Sequence, residues 1–248
     1  MTVQFHLFED AEAAALALAE AVRGDVQQAL ETAPRALLLV SGGRSPLPLF
    51  ALLAAQAWPW SQMDVSLVDE RCVPLADADS NSALVLRHLL IDAAAAARWV
   101  PLVDDQLASA ATDEWPVAQQ SATAANDNPA LAQAAVVILG LGNDGHTASL
   151  FADAPQWDAA RQTSARYVAL QPSTAPHARV GLSLSALIAQ GHCYVWSCGA
   201  DKLATLERLV ALVRDVPNYP ATPLIDAGPL ALLIAHPKVT LHVFHSAR

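Results

Sequence analysis

Four consecutive apolar residues, Val136-Val137-Ile138-Leu139, run directly into Gly140-Leu141-Gly142-Asn143-Asp144-Gly145-His146-Thr147-Ala148-Ser149-Leu150-Phe151. A run so short and so apolar reads as a strand buried on both faces, and such strands belong to parallel sheets covered by helices. The glycines then turn the chain, where positive φ and close main-chain approach let a small ligand lie against the backbone. Asp144 and His146 follow at once, and an acid beside a histidine at a strand end is a candidate for acid-base work. Gly140, Gly142 and Gly145 also spell G-x-G-x-x-G, but a dinucleotide site needs an acid about 20 residues further on to hold a ribose. Ser164-Ala165-Arg166-Tyr167 stands there instead, which argues against a nicotinamide site.

The same pattern of apolar strand, polar edge and helix recurs. Residues 36–40 form a second buried strand that enters Ser41-Gly42-Gly43-Arg44-Ser45-Pro46 and then an apolar helix over 47–57. Free N–H groups at that helix start, with the hydroxyls of Ser41 and Ser45, make a cradle for a phosphate dianion, the other reading being a plain capped helix. Arg44 either adds a charged contact or faces solvent. No Gly-Lys-Ser/Thr follows, so a nucleoside triphosphate is not implied. Residues 65–68 form a third strand ending in Asp69-Glu70-Arg71, charges that belong at a sheet edge, as a solvated turn or facing a cleft. Ser80-Asn81-Ser82 offers an N-cap to a helix over 83–91. Residues 192–198 form another strand, and Gly199-Ala200-Asp201-Lys202 opens a helix to about 214. Lys202 opposes the helix dipole there, a cost of about 0.3–1 kcal/mol that a bound anion would offset.

The remaining expectations are a strand over 3–8, a helix over 9–32 that Gly24 interrupts, and a short strand over 100–103. Residues 104–125 read as helical with a break at Pro116, 121–129 as a surface loop around Asn126-Asp127-Asn128-Pro129, and 155–161 as a short helix. A strand over 167–170, a loop over 171–179, a segment over 180–188 mixing strand and helix patterns, and a proline-bearing loop over 217–229 follow. Strands over 230–235 and 239–244 close the chain, with His242 and His245 on opposite strand faces and therefore no metal pair. This alternation predicts an α/β fold: one domain over 1–248, built on a mostly parallel Rossmann-like sheet with helices on both faces and a smaller mixed subregion near the C-terminal part.

Lys and Arg total 14 against 24 Asp and Glu, a formal charge of −10, which excludes a general nucleic-acid or anionic-membrane surface. An anionic substrate must then be held by local groups. The N-terminal residues lack a basic segment followed by an apolar one, and no 18-residue uncharged apolar run follows, so a soluble cytoplasmic protein is expected. Cys72, Cys193 and Cys198, an odd count, fit reduced thiols, with Cys193 and Cys198 as core residues.

Taken together, these edges resemble the 6-phosphogluconolactonase family, within the superfamily that also holds glucosamine-6-phosphate deaminase. Ser41-Gly42-Gly43-Arg44-Ser45-Pro46 resembles the family's S-G-G-x-T-P loop, with Ser45 keeping the hydroxyl. Asp69-Glu70-Arg71-Cys72-Val73-Pro74 with Ser80-Asn81 resembles D-E-R-x-V-P followed by S-N, residues 140–151 resemble G-x-G-x-D-G-H-T-A-S-L-F, and residues 199–202 resemble G-x-x-K. The resemblance is in register from about Phe5 to Val213, although Gly181 stands where the family usually carries Thr or Ser. Deaminases resemble D-E-Y at the second motif and place a Glu five residues after the histidine; Arg71 and Phe151 occupy those positions here.

The resemblance implies hydrolysis of 6-phospho-D-glucono-1,5-lactone to 6-phosphogluconate, the second step of the oxidative pentose phosphate pathway. It implies a His146 base, with Asp144 orienting the ring or shaping its loop and Arg71 meeting the oxyanion or the phosphate. Ser41, Gly42, Gly43, Arg44, Ser45, Asp69, Arg179 and Lys202 would bind the substrate and its phosphate. No metal or cofactor is needed, the only expected partner is the sugar-phosphate lactone, and a monomer or weak homo-oligomer is expected. Ser149 is read as a cap or packing residue, because no G-x-S-x-G elbow exists. The alternatives are a deaminase or isomerase acting on glucosamine 6-phosphate and a non-enzymatic sugar-phosphate sensor.

Overall fold

The computed structural model describes residues 2–216 and 218–247. Strand β1 (Thr2–Phe8) leads to helix α1 (Ala11–Leu30). Asp10 caps α1 by accepting the Ala13 N–H at 2.8 Å, and Ala14, Ala15, Leu18, Ala19, Val22 and Val26 form its buried stripe. Strand β2 (Ala36–Val40) enters α2 (Leu47–Ala54), and β3 (Met63–Leu67) is followed almost at once by β4 (Asp69–Arg71) and then α3 (Asn81–His88). The short β5 (Arg98–Trp99), α4 (Asp105–Ala110) and α5 (Glu114–Asp127) precede β6 (Val136–Leu139) and α6 (Trp157–Gln162). Then come β7 (Tyr167–Leu170), β8 (Arg179–Leu182), α7 (Leu184–Ala189), β9 (His192–Cys198) and α8 (Ala200–Asp215). Helices α9 (Thr222–Asp226) and α10 (Pro229–Ala235) and strand β10 (Thr240–Ser246) complete the order.

Seven strands form one parallel sheet in the order β1-β10-β9-β6-β2-β3-β5. Every residue of β2, β3 and β6 is buried, which requires cover on both faces of the sheet. Buried Asp64 within β3 is answered by Arg35 at 2.6 Å and Arg98 at 2.5 Å. From β2 the chain runs outward to β3 and β5, then returns to β6 on the other side of β2. The gap above β2 and β6 is therefore the topological switch point, where ligands of open α/β sheets bind. The expected smaller region is a three-stranded antiparallel sheet, β4-β8-β7, standing beside that gap.

Several local expectations are corrected. Residues 230–235 are helix α10, not a strand: Pro229 sits in its first turn, and a short run buried all round does not separate strand from helix. The strand expected over 100–103 lies at Arg98–Trp99, because Pro101 has no N–H for a ladder. The loop expected over 121–129 is mostly helix α5, which runs to Asp127. Its Asn126 is anchored by Arg166 and Tyr167, accepting both N–H groups at 2.9 and 3.0 Å. The 180–188 segment divides into β8 and α7, with Ser183 capping α7. The loop expected over 217–229 contains α9, and its first residue, Pro217, lies outside the described residues. Among the described residues, no helix is long and apolar enough to cross a membrane.

Gly24 does not interrupt α1, and a Cβ added there meets nothing within 4 Å. Gly24→Ala should stabilise the protein by about 0.5–1 kcal/mol through lower unfolded-state entropy and better helix propensity. Thermal melting should show this as a rise of roughly 1–4 °C.

Candidate active site

Strands β2, β6 and β9 release their loops at the same edge of the sheet, and these loops line one cavity of about 240 Å³. After β2, Ser41 turns its hydroxyl sideways and accepts the Gly140 N–H at 2.7 Å. Thr147 donates to the Gly140 carbonyl at 2.7 Å, so the peptide groups at Gly140 are satisfied by side chains from both loops. Gly42 must be glycine because a Cβ would fall 1.9 Å from Asn81 Oδ1. Arg44 and Ser45 are exposed at the rim, and the Ser45 carbonyl accepts from Trp196 Nε1 on β9 at 2.8 Å.

After β6 the chain folds Asp144 and His146 against each other. Asp144 Oδ1 lies 2.6 Å from His146 Nδ1 and also accepts the His146 N–H at 3.2 Å. Burial raises the Asp144 carboxyl pKa, but the neighbouring His146 outweighs it, and the net shift is downward. An ionised carboxylate only accepts, so this contact places a proton on Nδ1 and, in a neutral ring, leaves Nε2 as the accepting nitrogen. A Cβ on Gly142 would lie 2.1 Å from His146 Nδ1, so that glycine makes the room for the pair. Phe151 stacks on the other side of the imidazole, with ring centroids 4.0 Å apart.

The small antiparallel sheet supplies the opposite wall. In the β4·β8 register Arg71 faces Arg179 and Asp69 faces Gly181, so strand alternation sends Asp69 and Arg71 to the cavity side while Glu70 points away. Two arginines directly opposite repel unless an anion lies between or beside them. Arg71 donates from Nη1 to the Asp79 carbonyl at 2.6 Å, and Arg179 donates from Nη2 to the Pro176 carbonyl at 3.1 Å. Neither guanidinium Nε has a partner among the described residues. The Arg179 guanidinium also lies over Phe151, 5.3 Å from the ring centre, and burial pulls its pKa down. Lys202, in the first turn of α8, donates to the Leu141 carbonyl at 2.5 Å, and burial lowers its pKa as well.

All of the residues expected from sequence line this cavity except Asp144, which stands behind His146. The sequence reading missed two others. Ser149, read as a cap or packing residue, donates to Asp69 Oδ2 at 2.5 Å and accepts from Arg179 Nη1 at 3.3 Å. Asn81, read as part of a cap and of the S-N motif but given no role in the site, donates to the Asp69 carbonyl at 3.0 Å and lines the cavity. The signal for Asn81 was its place in the S-N pair, and for Ser149 its place in the T-A-S-L-F end of the signature; its φ of 56° is left-handed. Glu70 fits neither expectation, a solvated turn or a group facing the cleft, for it is 1 % exposed and points away from the cavity. Its carboxylate accepts the N–H groups of Arg71, Asn81 and Ser82 at 2.7, 2.9 and 2.6 Å, anchoring the start of α3 against β4.

The model of the family described as glucosamine-6-phosphate isomerases/6-phosphogluconolactonase matches residues 9–230. The chain belongs to that family. A 6-phosphogluconolactonase of Neisseria meningitidis serogroup A is 37% identical over 244 residues, covering 98% of each chain. One from Pseudomonas aeruginosa is 38% identical over 212 residues, 85% of this chain and 86% of its own. The crystal structure of a 6-phosphogluconolactonase from Shewanella baltica superposes with a TM-score of 0.84 at 32% identity, covering 100% of this chain and 98% of that one. The α/β fold and the antiparallel side sheet are thus those of a glucosamine-6-phosphate isomerase/6-phosphogluconolactonase family member. Gly181, unusual against the family pattern, fits a tight contact here: a Cβ would lie 2.4 Å from the Ala148 carbonyl oxygen.

Glu70→Gln should expose how far this wall depends on one carboxylate. The amide would turn a donor toward N–H groups that now meet oxygen, at a cost on the order of 1–3 kcal/mol. Urea unfolding should show a lowered midpoint with an unchanged slope.

Proposed function

We propose that this chain hydrolyses 6-phospho-D-glucono-1,5-lactone to 6-phosphogluconate, with His146 activating water and the substrate phosphate held by the Gly42-Gly43 loop and neighbouring cations. The observation that carries the reading is the His146–Asp144 pair, 2.6 Å apart, opening onto the same cavity as that loop, Arg71, Arg179 and Lys202. A chain of net charge −10 that gathers Arg44, Arg71, Arg179 and Lys202 around one cleft is suited to take an anion there.

The chemistry follows from the groups available. His146 Nε2 takes a proton from water as the oxygen attacks the lactone carbonyl, and the carbonyl π electrons move onto its oxygen. Arg71 supplies fixed donors to that oxyanion or to the phosphate. When the tetrahedral intermediate collapses, the bond from the acyl carbon to the ring oxygen breaks and the imidazolium returns its proton to that oxygen. The new carboxylic acid then loses its proton to solvent. Asp144 keeps the ring in the tautomer that can accept, and Phe151 holds its plane. Binding of the remote phosphate orients the acyl carbon toward the imidazole. The names of the relatives, 6-phosphogluconolactonases at 37% and 38% identity, support the same substrate. Phe151, standing where the deaminase pattern carries a glutamate, weighs against deamination.

His146→Ala should lower lactone hydrolysis, corrected for the spontaneous reaction, by about 100-fold or more. Near-normal turnover would remove His146 from the mechanism. Asp144→Asn presents a donor to Nδ1 and shifts the ring proton to Nε2, so kcat should fall about 100-fold or more while KM changes little. Gly142→Ala, which forces the imidazole aside, should cost roughly 10-fold or more in kcat without a comparable loss of melting temperature. Ammonia release from glucosamine 6-phosphate, assayed in parallel, should be absent.

A further inference from the structure

Near the end of the loop between β7 and β8 stands His177, a non-glycine residue held at φ +70°. That left-handed conformation is disfavoured for a bulky side chain, so its surroundings must hold it. Its imidazole lies between carboxylates from two distant segments. Nδ1 is 2.8 Å from Glu114 Oε1 in the first turn of α5, and Nε2 is 3.2 Å from Asp79 Oδ2 in the loop before α3. The second Glu114 oxygen accepts the Ala178 N–H at 2.7 Å. A neutral imidazole has one N–H and can donate to only one carboxylate; both contacts are hydrogen bonds only when the ring is an imidazolium.

What the ring grips is the framework that aims the two cavity arginines. The carbonyl of Asp79 accepts from Arg71 Nη1 at 2.6 Å, and the carbonyl of Pro176, adjacent to His177, accepts from Arg179 Nη2 at 3.1 Å. We propose that His177 is a positioning residue: as an imidazolium bridging Glu114 and Asp79, it fixes the carbonyls that orient Arg71 and Arg179, so that affinity for a phosphorylated sugar acid follows its charge. The inference rests on the reading in which those arginines hold the substrate anion.

The direction of the pH effect follows from the groups around the ring. Those facing it are Glu114 from α5 and Asp79 from the loop before α3, while Arg71 on β4 and Arg179 on β8 are reached only through main-chain carbonyls. Burial lowers the His177 pKa, but the bonds to Glu114 and Asp79 outweigh it and raise it above 6.5. The bridge is therefore complete below the ordinary histidine range and is lost as pH rises through the raised value.

The test is calorimetric binding of 6-phosphogluconate, a stable ligand, between pH 6 and 8.5, paired with lactonase kinetics. His177→Asn tolerates positive φ but carries no charge. At low pH it should bind about five-fold more weakly than the wild type, the gap should close as pH rises, and the loss should lie in KM rather than kcat. In an Arg71→Ala background the same substitution should have little further effect. Asp79→Asn, which removes one exposed carboxylate and leaves the carbonyl, should reproduce the altered profile even if His177→Asn folds poorly. Parallel pH profiles for the wild type and both variants, or a loss confined to kcat, would overturn the proposal. Undiminished binding by Arg71→Ala and Arg179→Ala would instead overturn the underlying reading of the site.

Discussion

The bond from the Gly140 N–H to the Ser41 hydroxyl, 2.7 Å long, joins two loops that the fold sends apart. Strands β2 and β6 are neighbours in the sheet, yet the chain leaves them toward opposite edges, and without a lateral tie their loops would move independently. Thr147 completes the tie by donating to the Gly140 carbonyl. The Gly-Gly turn and the His146 loop thereby become one wall, mounted on strands that are buried along their whole length. A distance set by two buried strands is held more tightly than one set by surface loops, which is what the proton transfer proposed for His146 would demand.

The side sheet does for the cations what the main sheet does for the imidazole. Strand β4 leaves the main sheet directly after β3, pairs with β8, and presents alternate residues to the cavity and to the anchored start of α3. Gly181 lets this sheet meet the signature loop backbone to backbone, close to Ala148 and Ser149, whose φ values of 50° and 56° are both left-handed. Two consecutive non-glycine residues in that region are held by their surroundings, and Ser149 is fixed by Asp69 and Arg179 on the side sheet. The contact that strains the loop is also the contact that connects the two walls.

Much of this was legible in the chain itself because each site loop follows a short apolar strand, and the polar residues after it have no place in a core. That logic found Ser41, Asp69, Arg71, His146 and Lys202. It failed where the partner came from far away. Ser149 is 80 residues from Asp69, and no local pattern encodes that pairing. Glu70 reads from sequence as solvated or cleft-facing because the N–H groups that satisfy it come partly from α3, 11 and 12 residues on. Residues 230–235 misread as a strand for a simpler reason: an apolar run buried on every side has no periodicity to reveal. The helical end of α5 was masked by Asn126-Asp127-Asn128-Pro129, a turn-forming composition overridden because Asn126 bonds across to β7.

The proposed function asks a strongly acidic chain to bind an anion, and the electrostatics of the cleft suit that demand. Cations scattered over an acidic surface would be neutralised by neighbours and screened by salt over a Debye length of about 8–10 Å. Here Arg179 is buried, Lys202 is partly buried, and both pKa values are lowered by desolvation, so the cleft holds positive charge at a cost. Arg71 and Arg179 stand opposite each other in the ladder, and each retains an Nε without a partner among the described residues. Asp69 beside them offsets part of their repulsion, and on the proposed function a dianion would meet the unpaired donors that a neutral sugar satisfies less well. On the proposed function, discrimination for a phosphorylated substrate would draw on these buried, partly unpaired cations as much as on the new contacts made on binding.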